Sequence, residues 1–261
     1  MSTPDLGWLG LYAREPDYAA RLILSAAANG NLDAQARLGQ ILLDGRGIAH
    51  DPQLALRWFT IAADAGHVAA RNMLGRCWQM GWGCAIDLAV AARHYRMAAD
   101  QRDDWGRYNY ANMLAKGWGV TRDLAAALSY YQLAANNGHA KAMNLVGRFH
   151  EEGWEVPPDL DVAFDWYQRS ALAGDFRGQC SYASQLVARG KLDEALVWLR
   201  RAMTTATVPF LQTMASALLG SPHVALRELA LQMRGLAEQR LRLSASACSD
   251  STPGAYLRPT A

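Results

Sequence analysis

The sequence has few cysteines, little net charge and no long apolar run, and each of these deficits excludes a class of protein. Cys77, Cys84, Cys180 and Cys248 are too few and too irregularly spaced for a disulfide framework or a zinc site, and they suit a reducing compartment. With 26 basic and 24 acidic residues, the formal net charge is +2. That balance gives no strong attraction to nucleic acid, so we expect no nucleic-acid partner. No segment reaches the roughly 18 uninterrupted apolar residues of a membrane helix, so we expect no membrane insertion.

Targeting and catalytic motifs are missing as well. The first residues include Asp5 but no basic cluster, and no apolar run with a small-residue cleavage site follows. We therefore expect no secretory signal and a cytoplasmic location. The sequence has no glycine-rich phosphate loop after a strand, no nucleophile elbow and no metalloprotease motif. An enzyme would need an acid, a base and a nucleophile that we cannot assemble, so we expect no catalytic residues, no cofactor and no metal.

What the sequence does contain is a short motif that returns at a fixed interval. Its copies are Gly45-Arg46-Gly47, Gly81-Trp82-Gly83, Gly117-Trp118-Gly119 and Gly153-Trp154-Glu155. The steps from 45 to 81, 81 to 117 and 117 to 153 are each 36 residues long, with no insertion. A constant period in this range indicates a repeat array.

Each repeat reads as two antiparallel helices. In the first clear copy, an apolar stripe at helical spacing runs from Ala34 to Leu43 and ends at Gly45. Asp51-Pro52 then opens a second helix with an N-cap acid and a proline, and that helix stops at Gly66. We expect the paired glycines to form the turn at positive φ, and small residues to lie where the two helices cross. Aromatic pairs such as Trp58-Phe59 would then fill the space between repeats.

The period also predicts the domain boundaries. We expect N-terminal capping helices at 1–32, four clear repeats at 33–68, 69–104, 105–140 and 141–176, a shortened degenerate repeat at 177–208, C-terminal capping helices at 209–243 and a disordered tail at 244–261. Terminal repeats are atypical because one of their faces meets water instead of a neighbour. The tail is rich in Ser, Thr, Pro and Gly and has little apolar content.

The repeated pattern resembles the Sel-one-like repeat, a relative of the tetratricopeptide repeat. Its clearest copy includes Leu38-Gly39, the turn from Gly45 to Ile48, Trp58-Phe59 and the closing Gly66-His67. The resemblance covers roughly residues 15–205 and implies an all-α, right-handed superhelical solenoid of antiparallel helix pairs. It also implies a non-catalytic scaffold or adaptor that binds another protein or peptide, usually in bacterial signalling, envelope or virulence systems. We favour a monomer.

In solenoids of this kind the first helix of each repeat lines the concave face. Polar positions there recur at 36-residue steps in two neighbouring rows. They give a candidate partner-binding groove of Asn72, Arg76, Tyr108, Asn112, Asn144 and Arg148. Amides can bond a peptide backbone in both senses, and a guanidinium can hold a carboxylate with two hydrogen bonds. The alternative is that these residues are solvated polar positions on exposed helix faces.

Trp82, Trp118 and Trp154 form a second row, on the turns between the helices. An exposed aromatic ladder often marks an interaction site, because turns lie at the surface. Such a ladder would suit a second function, a binding module for a small or polymeric ligand such as cell wall or polysaccharide. The alternative, which we favour, is that each indole packs onto the neighbouring repeat, since identical residues in equivalent turns indicate one repeated packing role.

Overall fold

A computed structural model describes residues 15–249, and residues 1–14 and 250–261 lie outside it. The described part contains thirteen α-helices and no strand. The all-α fold class expected from the sequence is confirmed. The first half of the expected N-terminal capping region at 1–32 and most of the expected disordered tail fall on residues outside the described part.

The helices follow the period of the sequence. They are α1 (Pro16–Ala28), α2 (Leu32–Asp44), α3 (Pro52–Asp64), α4 (Val68–Met80), α5 (Leu88–Asp100), α6 (Asp104–Lys116), α7 (Leu124–Asn136), α8 (Ala140–Glu152), α9 (Leu160–Leu172), α10 (Phe176–Ala188), α11 (Leu192–Thr205), α12 (Val208–Leu219) and α13 (Val224–Ser249). The last helix extends past Leu243, where the sequence pattern predicts its end. Ser244 to Ser249 contain no glycine or proline, so nothing in their composition stops the helix there.

The chain forms two compact parts, one up to Leu160 and one from Asp161. In the first part the consecutive helices from α1 to α8 pack pairwise against each other, ending with α7 on α8, and the first helices α4 and α6 also touch. In the second part α10 packs on α11 and α12 packs on α13. There the Arg240 guanidinium donates to the carbonyls of Met203, Thr204 and Ala206, which satisfies the open end of α11.

The helix ends are where the repeat pattern placed them. Asp51, Asp87 and Asp123 accept hydrogen bonds from the backbone N–H three residues on and so cap the second helices. Gly45, Gly81, Gly117 and Gly153 end the first helices in the left-handed conformation, with φ of 66°, 73°, 68° and 69°. The predicted hairpin of two helices joined at a glycine is therefore present in each of these repeats.

In the core of a repeat, an aromatic side chain of the second helix packs against a small residue of the first helix. A Cβ on Gly39 would lie 2.7 Å from the Phe59 ring, and one on Gly75 would lie 2.6 Å from the Tyr95 ring. Phe59 and Tyr95 are fully buried, whereas Trp58 before Phe59 is only half-buried. The expectation that small residues mark the crossing point is confirmed. Of each aromatic pair, only the second member fills the core.

The second glycine of each turn makes the contact between repeats. A Cβ on Gly83 would overlap the backbone of Pro52, and a Cβ on Gly119 would overlap the backbone of Leu88. Gly47 meets Pro16 in the same way. Each of these three turns thus lies directly against the start of the preceding second helix, and a side chain at its second glycine would overlap the backbone there.

Gly83→Ala should therefore destabilise the protein by about 3 kcal/mol, because it adds a backbone overlap to the cost of positive φ. Gly66→Ala is the matched control. Gly66 also has positive φ, at 96°, but no atom lies within 4 Å of the place that an alanine methyl would take, so its cost should be only about 1 kcal/mol. Urea denaturation followed by circular dichroism measures both. Equal losses would contradict the close contact between turn and helix.

Histidine takes the N-cap position of two first helices. The Nδ1 atoms of His67 and His139 accept hydrogen bonds from the backbone N–H groups of Ala70 and Ala142. Burial, reinforced by the positive charge of Lys141, lowers the pKa of His139 below its ordinary value. The neutral ring is thus the form that caps α8, since a protonated Nδ1 cannot accept a hydrogen bond.

His139 should make stability depend on pH in a defined window. The unfolded chain binds the proton near the ordinary pKa of about 6.5, above the lowered pKa of the folded state. The contribution of His139 to the free energy of unfolding is therefore complete above about pH 6.5, and it is lost as the pH falls through the folded-state pKa. We measure the free energy of unfolding by urea denaturation at a series of pH values. Asparagine can cap a helix without titrating, as Asn31 caps α2 with its side chain. His139→Asn should therefore reduce the slope of the free energy of unfolding against pH.

His50→Asn is the control for that experiment, because His50 is exposed and caps no helix. It should leave the slope unchanged. A residual slope is expected in both variants from His94, whose pKa is also lowered by burial. A slope that does not respond to His139→Asn would contradict the role of the neutral ring.

Candidate functional site

The predicted groove residues lie on three first helices of the first part of the chain, α4, α6 and α8. The structure divides them by depth. Asn72 and Asn144 are buried, with exposed fractions of 7% and 9%. The Asn109 amide donates to the side-chain oxygen of Asn72 at 2.8 Å. Both side chains are thus largely covered, and the Asn72 oxygen is already bonded to the next first helix.

Asn112 and Tyr108 are half-buried and bonded within the repeat. The Asn112 amide donates to the Tyr108 backbone carbonyl at 3.0 Å, and its side-chain oxygen accepts from the Tyr131 hydroxyl at 2.9 Å. The Tyr108 ring stacks on His139 with the ring centroids 4.8 Å apart. Together they form a rigid base for the more exposed residues around them.

Arg76 and Arg148 are the exposed members of the predicted groove. The Arg76 guanidinium lies over the Trp82 ring and the Arg148 guanidinium over the Trp154 ring, each at 5.1 Å from the centroid. The polar row and the tryptophan row, which the sequence pattern presents as separate surfaces, are thus in direct contact. They form one face.

The third repeat builds the same pair from a different residue. Asn112 occupies the row position of the arginines, and the ammonium of Lys116 lies 4.0 Å from the centroid of Trp118. Three successive repeats therefore each place a cation on the ring of the turn tryptophan. We call the pairs Arg76–Trp82, Lys116–Trp118 and Arg148–Trp154 the cation–tryptophan ladder.

The tryptophans of the ladder are neither free nor sealed in the core. Trp118 and Trp154 are 38% and 36% exposed, and Trp82 is half-buried against the apolar core. The edge of the Trp154 ring meets Phe149 at a centroid distance of 5.4 Å. Each indole therefore packs with part of its surface and leaves the rest accessible beside a cation.

Two further residues of this face were missed from the sequence. Trp105 is largely exposed on the first turn of α6, and the Lys141 ammonium lies 4.9 Å from its ring centroid. These residues are in different repeats and share no motif, so no sequence signal joins them. For Arg76–Trp82 and Arg148–Trp154 a signal existed, because both pairs have the same six-residue separation.

Other chemistry is not assembled in the described part of the chain. Burial raises the pKa of Cys77 and of Cys180 to about 12, so both thiols stay protonated and serve packing. Within residues 15–249, no three His, Cys, Asp or Glu side chains form a group that could hold a metal ion. None of the described helices is both long and apolar enough to cross a membrane.

Comparison with known structures supports the fold. A Sel1 repeat protein from Oxalobacter formigenes matches with a TM-score of 0.75 and 26% identity, over 90% of this chain and 98% of that one. A protective antigen of uropathogenic Escherichia coli with an SLR fold matches at 0.64 and 24% identity, over 86% of this chain and 49% of that longer one. An immunity protein from Pseudomonas aeruginosa matches at 0.56 and 16% identity, over 80% and 82%.

Comparison with protein families is more specific. No curated protein matches the chain. The family model for the Sel1 repeat matches residues 32–67, 68–103, 106–139 and 140–175, which together make up more than half of the sequence. Proteins built from this repeat are generally protein–protein interaction scaffolds without catalytic activity. The chain belongs to the Sel1 repeat family.

Proposed function

We propose that the protein is a non-catalytic scaffold or adaptor that holds a peptide or protein partner against the first helices of repeats two to four. The cation–tryptophan ladder is the observation that carries this proposal. Each of three equivalent turns presents a partly exposed indole with a cation over its ring. Tryptophan and arginine are the residues most enriched among those that dominate binding energy at protein interfaces.

The base beneath the ladder favours binding without rearrangement. Asn72 and Asn109 are bonded to each other, and Asn112 is bonded to both Tyr108 and Tyr131. A partner that docks on the exposed cations therefore meets residues whose conformations are already restricted. Preorganisation of this kind lowers the entropy cost of association.

A protein partner suits the ladder better than a sugar polymer, the second function considered from the sequence. A sugar ring stacks on an open indole face, but a cation already lies over each ring of the ladder. A protein segment can instead use both groups of each pair, contacting the indole edge and bonding the cation.

The setting we propose is a bacterial signalling, envelope or virulence-related process. The support is that the Sel1 repeat protein resembled over nearly its whole length comes from a bacterium, Oxalobacter formigenes. Identification of the partner would place the protein within such a process.

Site-specific photo-crosslinking in the native host tests the proposed face. A photoreactive phenylalanine analogue replaces Trp118 on the ladder or, as a control, Met97, which is exposed on the second helix α5. We expect a defined protein to be crosslinked from position 118 and not from position 97. Equal crosslinking from both positions would indicate unspecific contact and contradict the assignment of the face.

The crosslinked protein, once purified, allows a quantitative test. Arg76→Ala with Arg148→Ala should weaken its binding by about tenfold or more, as expected when two charged interface contacts are lost. Arg57→Ala with Arg93→Ala is the matched control, since both arginines are exposed on the second helices α3 and α5. Full affinity in the Arg76/Arg148 variant, with its helix content intact, would refute the proposed groove.

A further inference from the structure

The cations of the ladder have no acidic partner, unlike two other arginines on the same helices. On the same first helices, Arg71 pairs with Asp64 at 3.3 Å and Arg107 pairs with Asp104 at 2.9 Å. Among the described residues, no carboxylate lies within ion-pair distance of Arg76, Lys116 or Arg148. Positive charge on this face is therefore held on aromatic rings and is not neutralised.

The packing of each cation restricts its position. The Arg76 side chain touches the Met73 sulfur at 3.7 Å as well as the Trp82 ring, and Lys116 lies close over Trp118 at 4.0 Å. An indole attracts a cation through its ring but supplies no hydrogen-bond acceptor. Apart from the Arg76 N–H that donates to the Met73 sulfur, the N–H groups of these side chains consequently remain available for an anion, with part of their conformational freedom already lost.

Acidic residues bound the ladder at both ends. Asp33 and Asp44 lie on α2, before the first pair, and Glu151 and Glu152 lie at the end of α8, beside the last. Between them α4 contains no acidic residue, and the only one on α6 is Asp104, which is paired with Arg107. The excess of positive charge is thus confined to a short stretch from α4 to Arg148, which favours a short anionic segment over a long polyanion such as nucleic acid.

We propose that the ladder recognises an extended acidic peptide segment with a carboxylate at about every third residue. The inference rests on the proposed function and adds the chemistry of the partner. The first helices α4 and α6 touch, and helices in contact are roughly 10 Å apart, while an extended chain advances about 3.3 Å per residue. Carboxylates three residues apart would therefore meet Arg76, Lys116 and Arg148 in turn, each forming charge-assisted hydrogen bonds.

Synthetic peptides test this directly with the purified full chain. The probe is a fluorescent peptide of Gly and Ser with glutamate at every third position. It is compared with a peptide carrying glutamine at the same positions, and with an isomer in which the glutamates are adjacent. We expect the spaced glutamate peptide to bind about tenfold or more tightly than the glutamine peptide, since charged hydrogen bonds are lost in the latter. It should also bind more tightly than the isomer, and high salt should weaken it.

Variants assign the binding to the ladder. Arg76→Gln with Arg148→Gln should weaken binding of the spaced peptide by about tenfold or more, whereas Arg57→Gln with Arg93→Gln should leave it unchanged. Equal affinity for the glutamate and glutamine peptides would overturn the inference. Equal losses in the two double variants would also overturn it, because they would indicate general electrostatic attraction. An oligothymidylate is compared in the same way. If it binds more tightly than the spaced glutamate peptide and loses affinity in the Arg76/Arg148 variant, the face binds nucleic acid and the inference is overturned.

These outcomes are separate from those of the proposed function. If the crosslinked natural partner depends on Arg76 and Arg148 but no acidic peptide binds, the face is correct and the chemistry of the segment is wrong. If acidic peptides bind but position 118 crosslinks no protein in the host, the ladder recognises anions and the proposed scaffold function fails.

Discussion

The contact between three of the turns and the preceding repeat is the constraint on which the geometry of the first repeats depends. Gly47, Gly83 and Gly119 lie so close to the backbone of the preceding second helix that no Cβ fits. The glycine two residues earlier ends the first helix in the left-handed conformation. The residue between the two glycines is held at both sides, and in repeats two and three that residue is Trp82 or Trp118. The position of the tryptophan beside the first helix is thus a consequence of how repeats stack.

Much of this could be predicted from the sequence, because period, capping and glycine chemistry are local. The 36-residue step, the N-cap aspartates and the helix-ending glycines all appear where they were expected. The last turn shows the limit. Glu155 replaces the second glycine and still adopts a positive φ of 58°. Glutamate disfavours this left-handed conformation, so no sequence rule for turns would predict it.

The site was only partly predictable, for a different physical reason. A shared spacing identifies residues on the same helical face but does not report how deeply the next repeat covers them. Asn72 and Arg76 are one helical turn apart, yet Asn109 covers the first while the second is exposed. The contact between Arg76 and Trp82 crosses the end of a helix and a left-handed turn, so helical spacing gives no indication of it. The two candidate surfaces could be recognised as one only in three dimensions.

We propose that the partner of this scaffold docks on the cation–tryptophan ladder of the first helices. The indole N–H signals of the protein in a two-dimensional nitrogen-15 NMR spectrum, recorded during titration with the purified partner, test it most directly. If the ladder is the docking site, the signals of Trp82, Trp118 and Trp154 shift together at the same partner concentration, while the signal of Trp58, on a second helix, stays in place. Shifts at Trp58 without shifts in the three ladder tryptophans would contradict it.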